Sequence, residues 1–321
     1  MRTIVQESYG PPEALRVTEQ PEPSHDPDGV LIRVRAAGVN RADILAAEGI
    51  PYVTRLTAGM SRPKRPLLGT DVAGVVEAVG SARAGVEPGD AVLGWADGAF
   101  AELAVARPGL LVRKPSALTF EQAAAVPTAA VTAWQALHKV DSLTGRRVLV
   151  LGASGGVGTF AVQIATALGA EVTGVASTRN RDLVRSLGAD HVLDYTRDDI
   201  FAAAAGRYDL VVDLVGREPL ASARRVLRPG GTYVVVGGPN PRSLTGAGRF
   251  VRAGLLSPLV RQRLTPLFAT QDRSALEQVI RMVSAGAVLP VIDATYDLRD
   301  APDALRYVAA GHTRGRVVLT A

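Results

Sequence analysis

The chain has 321 residues, of which 47% are hydrophobic, enough for one large domain or two ordinary ones with a substantial core. Cysteine is absent, which excludes disulfides, thiolate nucleophiles, iron–sulfur clusters and every zinc site that uses sulfur. No apolar run approaches the ~20 residues of a transmembrane helix, and the start, MRTIVQESYG, lacks the apolar core of a secretion signal. We therefore expect a cytoplasmic protein that does not enter a membrane.

The net charge of +5 comes almost entirely from arginine, because the chain contains just three lysines: Lys64, Lys114 and Lys139. The arginines are spread along the sequence and aromatic residues are few, so an anionic small cofactor explains the charge better than nucleic-acid binding. No two histidines have the spacing of helical metal ligands, and we expect no metal site; the four are His25, His138, His191 and His312.

The first 120 residues have the pattern of a β-rich domain. Val30–Ala36 and Val72–Val79 are predicted strands, and Pro88-Gly89 is a turn that leads into another strand. Short strands with closely spaced glycines and no long helix favour a barrel-like or folded-sheet domain.

After residue 120, strands and helices alternate. Helices are predicted at Phe120–Ala125 and Ala130–His138, and then near 157–169, 179–188, 197–205, 217–228 and 273–286. Strands are predicted near 147–151, 171–176, 191–193, 208–215, 231–237 and 264–269. Six strands in this alternation predict a doubly wound parallel sheet.

The tail, 287–321, returns to the first pattern, with an extended stretch at Val288–Tyr296, a helix at Ala301–Ala310 and a strand at Arg316–Thr320. We expect this last strand to pair with the first domain, so that the domains comprise residues 1–120 plus 287–321 and residues 121–286. Segment 240–263 interrupts the alternation and is too long for an ordinary connection. It is either one or two helices that cover a site or a subunit contact, or a plain surface insertion.

A glycine-rich turn stands between a predicted strand and a predicted helix. The strand Arg147–Leu151 leads into Gly152-Ala153-Ser154-Gly155-Gly156-Val157-Gly158, and a helix follows. Glycines in this context allow the backbone to approach a pyrophosphate, which also meets the positive end of the helix dipole. The turn predicts a dinucleotide site.

The second strand of this unit ends in Ser177-Thr178-Arg179-Asn180-Arg181, where an NAD-specific site usually carries Asp or Glu. A carboxylate would repel a ribose 2′-phosphate, whereas a hydroxyl and guanidinium groups bind it. Ser177 and Arg179 therefore predict NADPH rather than NADH. Tyr195, just past the third strand, is either a further hydrogen-bond donor to this phosphate or a half-buried tyrosine at a strand end.

Several segments, taken in order along the chain, resemble the zinc-independent quinone oxidoreductase branch of the medium-chain dehydrogenase/reductase superfamily. These segments are AAGVNRADILAAEG (36–49), PLLGTDVAGVVEAVG (66–80), VEPGDAVLG (86–94), GAFAELAVA (98–106), VLVLGASGGVG (148–158), LGADHVLDY (187–195) and GHTRGRVVLT (311–320). The resemblance implies an α/β protein in which a GroES-like catalytic domain is split around a Rossmann domain, with the active site in the cleft between them. It also implies homodimers joined through the edge strand of the Rossmann sheet.

Zinc-dependent relatives carry cysteine at the position of Asn40 and Gly-His-Glu where this chain has Gly69-Thr70-Asp71. They also carry a four-cysteine lobe after Val79-Gly80, and this chain has none of these ligands. The resemblance therefore implies a reaction without zinc polarisation of the substrate.

Matched to the family position by position, three residues would line the nicotinamide and substrate pocket: Asn40, Tyr52 and Thr132. The cofactor positions are Ser154, Gly155, Gly156 and Val157 at the turn, Ser177, Arg179 and Tyr195 near the 2′-phosphate, and Gly237 and Gly238 after the fifth strand. Asn40 has an alternative role as a helix cap, and capping is the role that we favour for Asp43.

The resemblance implies hydride transfer from NADPH to an acceptor that is already electrophilic, such as a quinone or an α,β-unsaturated carbonyl. Neutral donors would stabilise the resulting oxyanion, and Tyr52 or water would supply the proton. Two alternatives remain. One is a reductase or dehydrogenase of a biosynthetic pathway, with a bulky substrate under segment 240–263. The other is an NADPH-binding regulatory or RNA-binding protein with little catalysis.

Overall fold

The computed structural model describes residues 1–23, 29–80, 85–203, 205–237 and 248–321. These residues form two compact units. The first comprises Met1–Val131, Gln271–Ser284 and Pro290–Ala321, and the second comprises Thr132–Thr270 and Ala285–Leu289. Residues 121–131 and 271–284 thus pack with the first unit, although the predicted domain boundaries placed them with the second. Those boundaries followed the change in element pattern along the sequence and stay a prediction.

Fifteen strands are present in the described part of the chain. In chain order they are β1 (Arg2–Val5), β2 (Arg16–Glu19), β3 (Val30–Val39), β4 (Asp71–Val79), β5 (Ala91–Trp95), β6 (Leu103–Ala106), β7 (Leu111–Arg113), β8 (Arg147–Leu151), β9 (Glu171–Ala176), β10 (His191–Asp194), β11 (Tyr208–Asp213), β12 (Leu227–Val235), β13 (Arg263–Pro266), β14 (Ile292–Asp297) and β15 (Arg316–Thr320).

The same residues form eleven α-helices, several of which are a single turn. They are α1 (Arg41–Glu48), α2 (Arg55–Ala58), α3 (Phe120–Ala124), α4 (Pro127–Leu137), α5 (Gly156–Ala167), α6 (Arg181–Ser186), α7 (Ile200–Ala203), α8 (Leu220–Ala223), α9 (Gly248–Leu256), α10 (Arg273–Ser284) and α11 (Ala301–Ala309). Short 3₁₀ turns continue several of them, among them Tyr52–Thr54 and Ser257–Leu259.

The second unit contains a six-stranded sheet in the order β10-β9-β8-β11-β12-β13. Every neighbouring pair is parallel, which gives the strand order 3-2-1-4-5-6 of a doubly wound dinucleotide-binding sheet. The predicted doubly wound sheet is therefore confirmed. β11 is buried along its whole length, as its continuous apolar sequence YDLVVD requires of a central parallel strand.

The first unit is built on a seven-stranded sheet. The path β14-β15-β3-β4-β5-β7 is extended by β6, which pairs with β3. The terminal strand β15 runs antiparallel to β3, with Val317 opposite Val39 and Thr320 opposite Ala36. The predicted return of the last strand to the first domain is confirmed, and its physical basis is the fully apolar face that Val317 and Leu319 bury in the core of this unit.

Segment 240–263 is described from residue 248 onward, and that part is helical. In α9, Phe250, Ala253 and Leu256 pack against the core of the second unit. The outward side of the same helix carries Val251 and Leu255, which are 55% and 68% exposed. The predicted helix is thus confirmed in the described part of this segment, and what it covers stays a prediction.

Candidate functional site

The glycine-rich turn joins β8 to α5 in the second unit. Gly152 has φ +85°, a conformation that L side chains rarely adopt, and Gly155 immediately precedes the helix in extended backbone. A Cβ atom at Gly158 would lie 2.1 Å from the carbonyl oxygen of Gly152, so only glycine lets the first turn of α5 pack on the loop. This close packing brings the amino end of a 12-residue helix to the carboxyl end of β8.

At Gly155, packing within the protein does not require glycine. A Cβ atom there would meet only the carbonyl oxygen of Gly152, at the ordinary contact distance of 3.5 Å. The protein itself therefore leaves room for a side chain at this position, just where the first N–H groups of α5 lack intrahelical partners. A pyrophosphate that approaches those N–H groups would fill that room, and the turn fits a dinucleotide.

The carboxyl end of β9 supplies the predicted 2′-phosphate residues. Ser177 precedes a 3₁₀ turn, Thr178–Asn180, in which Arg179 is exposed to solvent. Asn180 is 5% exposed, and its Nδ2 donates a hydrogen bond of 3.0 Å to Oγ of Ser154 in the glycine turn. This hydrogen bond connects the two loops that carry the predicted pyrophosphate and 2′-phosphate residues. Tyr195, which follows β10, is 53% exposed.

An acid does lie near this region, at the end of β10 rather than of β9. Oδ2 of Asp194 accepts a 2.5 Å hydrogen bond from the Thr178 hydroxyl, and Oδ1 accepts from the N–H and the hydroxyl of Thr196 at 3.0 and 2.6 Å. The hydroxyl bonds lower the pKa of Asp194 to about 2. Both oxygens thus accept hydrogen bonds from the protein, and the bond from Thr178 stabilises the loop after β9.

Gly237 follows β12, as predicted. A Cβ atom at Gly237 would lie 2.3 Å from the carbonyl oxygen of Leu214, so the close approach of the chain after β11 already requires glycine there. Gly238 lies outside the described residues. Close packing accounts for the glycine at position 237 whether or not it also meets the cofactor.

Beside this position, a buried ion pair ties α9 to the end of β11. Nη2 of Arg249 lies 2.6 Å from Oδ2 of Asp213, which also accepts a 2.9 Å hydrogen bond from the Tyr233 hydroxyl. Burial raises the pKa of Tyr233, so its hydroxyl stays a donor. Sequence analysis missed this cluster because nothing in segment 240–263 indicates which of its arginines turns inward.

In the first unit, Asn40 stands between β3 and α1 and is 4% exposed. Its backbone N–H donates a 2.7 Å hydrogen bond to Oδ2 of Asp43, which confirms Asp43 as a helix cap. Burial raises the pKa of Asp43 to about 7, against the lowering effect of the hydrogen bonds from Asn40. Nδ2 of Asn40 donates a long hydrogen bond of 3.5 Å to the carbonyl oxygen of Gly38, and the Asn40 side chain lowers the pKa of the buried Asp71 against the effect of burial.

Asp71 is the centre of a buried polar network that the sequence analysis did not identify. Nη2 of Arg316 donates to its Oδ2 at 3.1 Å, and the Thr128 hydroxyl donates to its Oδ1 at 2.5 Å. Nε of Arg316 donates to the carbonyl oxygen of Ala125, and Nε1 of Trp95 donates to Oγ1 of Thr128, both at 3.1 Å. Burial raises the pKa of Asp71, and the guanidinium of Arg316 opposes that rise. An arginine inside the apolar strand RVVLT was the one available signal.

Tyr52 and Thr132 stand in contrasting surroundings, one in each unit. Tyr52 belongs to the 3₁₀ turn of the first unit and is 44% exposed, with the guanidinium of Arg55 5.1 Å from the centre of its ring. Thr132 lies in α4, at the start of the second unit, and is 6% exposed. Tyr52 is therefore half-exposed, whereas Thr132 is buried.

Neither a metal cluster nor a membrane-spanning helix was found in the described residues. They contain no group of three or more His, Asp or Glu side chains arranged to hold a metal ion. None of their helices has the length and apolar character to cross a membrane.

Comparison with known proteins places this geometry in a family. Residues 26–116 match the alcohol dehydrogenase GroES-like domain, and residues 187–319 match the family described as zinc-binding dehydrogenase. The chain is 34% identical to the bovine mitochondrial NAD(P)H oxidoreductase RTN4IP1, over 99% of this chain and 89% of that protein.

Solved structures give the same result. The quinone oxidoreductase of Coxiella burnetii superposes with a TM-score of 0.88 at 30% identity, over 100% of this chain and 99% of that one. A mycobacterial protein, Rv1454c, solved in complex with NADPH superposes with a TM-score of 0.83 at 27% identity and covers 100% of both chains. The turn after β8, the parallel sheet and these relatives agree: the chain belongs to the medium-chain dehydrogenase/reductase superfamily and is an oxidoreductase that uses NADPH.

Proposed function

We propose that this protein reduces an acceptor that is already electrophilic, a quinone or an α,β-unsaturated carbonyl, and that it does so without zinc. The observation that carries the proposal is the replacement of the metal-binding side chains: Asn40 and Thr70 stand where zinc-dependent relatives carry cysteine and histidine, and the chain has no cysteine. Without a Lewis acid to polarise an alcohol or a simple ketone, the acceptor must itself be activated.

Bound NADPH supplies a hydride, and the side chains of the protein must then handle the negative charge that appears on the acceptor oxygen. Neutral donors placed at that oxygen stabilise it. Among the three predicted pocket residues, Asn40 is the least available donor, because its side-chain amide hydrogen-bonds the carbonyl oxygen of Gly38 and its backbone N–H is bound to Asp43. We therefore assign Asn40 a positioning role, at the turn that leads into α1.

Tyr52 is the residue that we propose as proton donor. The residue is 44% exposed, and a tyrosine hydroxyl can donate a proton to a reacting group. The guanidinium of Arg55 lies over the Tyr52 ring, 5.1 Å from its centre. Thr132, in α4, is proposed as a neutral hydrogen-bond donor.

The experiment is a steady-state assay of NADPH oxidation against a panel of quinones, enals, enones, simple ketones and alcohols. We expect turnover of the activated acceptors, none of simple ketones or alcohols, and no change after treatment with a chelator. Tyr52→Phe should lower kcat by a factor of ten or more for enones while leaving the Kd for NADPH unchanged. Val53→Ala, at the exposed neighbouring position, is the matched control.

Stoichiometric bound zinc, or loss of activity with the chelator, would contradict the zinc-independent reaction. Turnover of only the bulkiest acceptors in the panel would favour the biosynthetic reductase. Tight NADPH binding without turnover of any acceptor would favour the regulatory protein.

We also propose a homodimer joined through β13, one of the two edge strands of the six-stranded sheet. An edge strand offers unpaired backbone groups, and a twofold axis lets two copies pair there. The exposed apolar residues Val251, Leu255 and Leu259 follow one side of α9 and the next turn, and α9 packs beside this strand. Leu255→Asp should therefore shift the mass in solution, measured by light scattering, from dimer to monomer.

The predicted cytoplasmic location stays a prediction. The bovine relative is named a mitochondrial protein, so both compartments are open for this chain. Imaging of the full-length protein with an organelle marker distinguishes them.

A further inference from the structure

The contact between Asn180 and Ser154 crosses from the loop after β9 to the glycine turn after β8. Nδ2 of Asn180 donates to Oγ of Ser154 at 3.0 Å. A serine hydroxyl that accepts such a bond keeps its own proton to donate. In the described part of the chain, the Ser154 hydroxyl donates to no protein group, and the residue is half-buried at the surface of the turn.

Asn180 makes this contact at a cost to the fold. Its side chain is nearly fully buried, and its Oδ1 has no hydrogen-bond partner among the described residues. Nε of the next residue, Arg181, is likewise buried and without a partner there. Unsatisfied buried polar atoms are rare in native proteins, so each one calls for an explanation.

The residues around Ser154 indicate which kind of group would accept a hydrogen bond from its hydroxyl. Ser154 and Asn180 lie between the ends of β8 and β9, and Arg179 is exposed in the same 3₁₀ turn as Asn180. The nearest acid on the neighbouring strand, Asp194, has both carboxylate oxygens occupied by threonine donors. A phosphate at this place therefore meets donors and positive charge.

We infer that Asn180 is a specificity-determining residue for NADPH, because it fixes the Ser154 hydroxyl as a hydrogen-bond donor to the 2′-phosphate of the cofactor. Asn180 acts through Ser154 and is a positioning residue. The inference rests on the cofactor and is independent of the proposed acceptor. The 2′-phosphate would then be bound by Ser177, by Arg179 and also by Ser154 of the glycine turn.

The test measures the Kd of NADPH and of NADH by titration calorimetry, for the wild-type protein and for the variants Asn180→Ala, Ser154→Ala and the double variant. We expect each single variant to raise the Kd of NADPH about tenfold, the size of one hydrogen bond to a charged group. NADH lacks the 2′-phosphate, and its Kd should change less than about threefold. The double variant should be no weaker than Ser154→Ala, because both changes remove the same contact.

Asn180→Asp is a second variant at this position, and its side chain is nearly isosteric with that of asparagine. A carboxylate accepts and cannot donate, so it would draw the Ser154 proton inward and place a negative charge nearby. We expect NADPH binding to weaken more than in Asn180→Ala, with NADH again little changed. Unfolding midpoints of all variants, compared with wild type, separate a lost contact from a lost fold.

Three results would overturn the inference. Equal weakening of NADPH and NADH would assign Ser154 to the pyrophosphate or to the shape of the turn. Additive effects in the double variant would show that Asn180 does not act through Ser154. Undiminished NADPH binding in Asn180→Asp would show that the Ser154 hydroxyl donates to residue 180 rather than to the cofactor.

Discussion

The buried pair of Asp71 and Arg316 leads to a sharp prediction about stability. Arg316→Met removes the guanidinium and keeps an unbranched apolar side chain of similar reach. Asp71, which is fully buried, would keep the two donors of Thr128 but lose its counter-charge. Removing one partner of a buried pair costs about 3–5 kcal/mol.

Two features of the site narrow that range. The remaining hydrogen bonds of Thr128 lower the cost, and Asp71 can instead take up a proton, which at pH 7 costs about 4 kcal/mol for a carboxyl of ordinary pKa. We therefore expect the first unit to lose about 3–4 kcal/mol of unfolding free energy. Asp71→Asn combined with Arg316→Met should recover part of the loss, because neither charge then remains buried.

Tryptophan fluorescence during urea unfolding can follow this unit. The chain has two tryptophans, and Trp95 is buried in the first unit with its Nε1 bonded to Thr128. The other, Trp134, belongs to the second unit, so a Trp134→Phe background makes the signal specific to the first. Unfolding midpoints and slopes then give the change in free energy.

The matched control is Arg33→Met, in β3 of the same sheet. Arg33 pairs with Glu77 at 2.7 Å, but the two side chains are 50% and 37% exposed. Exposed pairs contribute less than about 1 kcal/mol. The reasoning is refuted if Arg316→Met costs no more than Arg33→Met, or if the double substitution at the buried pair is as destabilising as the two single changes added together.

Three further predictions concern the cofactor turn and the buried acid. Gly155→Ala should leave the free energy of unfolding within about 0.5 kcal/mol of wild type and weaken NADPH binding, whereas Gly158→Ala should destabilise the fold because its Cβ would overlap Gly152. Calorimetry measures the binding and urea unfolding the stability, and equal stabilities of the two variants would contradict this explanation. Arg179→Ala should raise the Kd of NADPH tenfold or more and that of NADH little, and equal effects on both would remove the reason for preferring NADPH. Burial raises the pKa of Asp43 from 3.8 to about 7, so the protonated carboxyl contributes its full stability below pH 3.8 and loses it as the pH rises through about 7. Asp43→Asn should therefore flatten the plot of urea midpoint against pH between pH 4 and pH 8. An unchanged slope of that plot would refute the prediction.

Local sequence was sufficient to predict several strands in each unit. The strands Arg147–Leu151, Glu171–Ala176 and Arg316–Thr320 were predicted with the bounds that the structure has, because each is a short apolar run between a polar stretch and a turn. Less regular elements were predicted too long. The helix expected near 197–205 is the single turn Ile200–Ala203, and the helix expected near 217–228 becomes Leu220–Ala223 followed by a 3₁₀ turn.

The dinucleotide turn was also written in the sequence, because a glycine turn needs only its own residues and the strand and helix beside it. Motif resemblance supplied the family and the order of its two kinds of domain. No local pattern, however, shows which glycines are required by packing within the protein and which leave room for a ligand. The structure separates Gly158, where a Cβ atom would overlap the backbone, from Gly155, where there is room.

Contacts between residues far apart in the chain were beyond any reading of local pattern. Asp71 and Arg316 are separated by 245 positions, and Asp213 and Arg249 by 36. Such pairs form because a charge that is buried by sheet packing must find an opposite charge, and the identity of that partner depends on the strand order. The sequence by itself therefore determined the fold family and the cofactor turn. Tertiary structure alone decided which charges are buried together and that the amide of Asn180 meets the hydroxyl of Ser154.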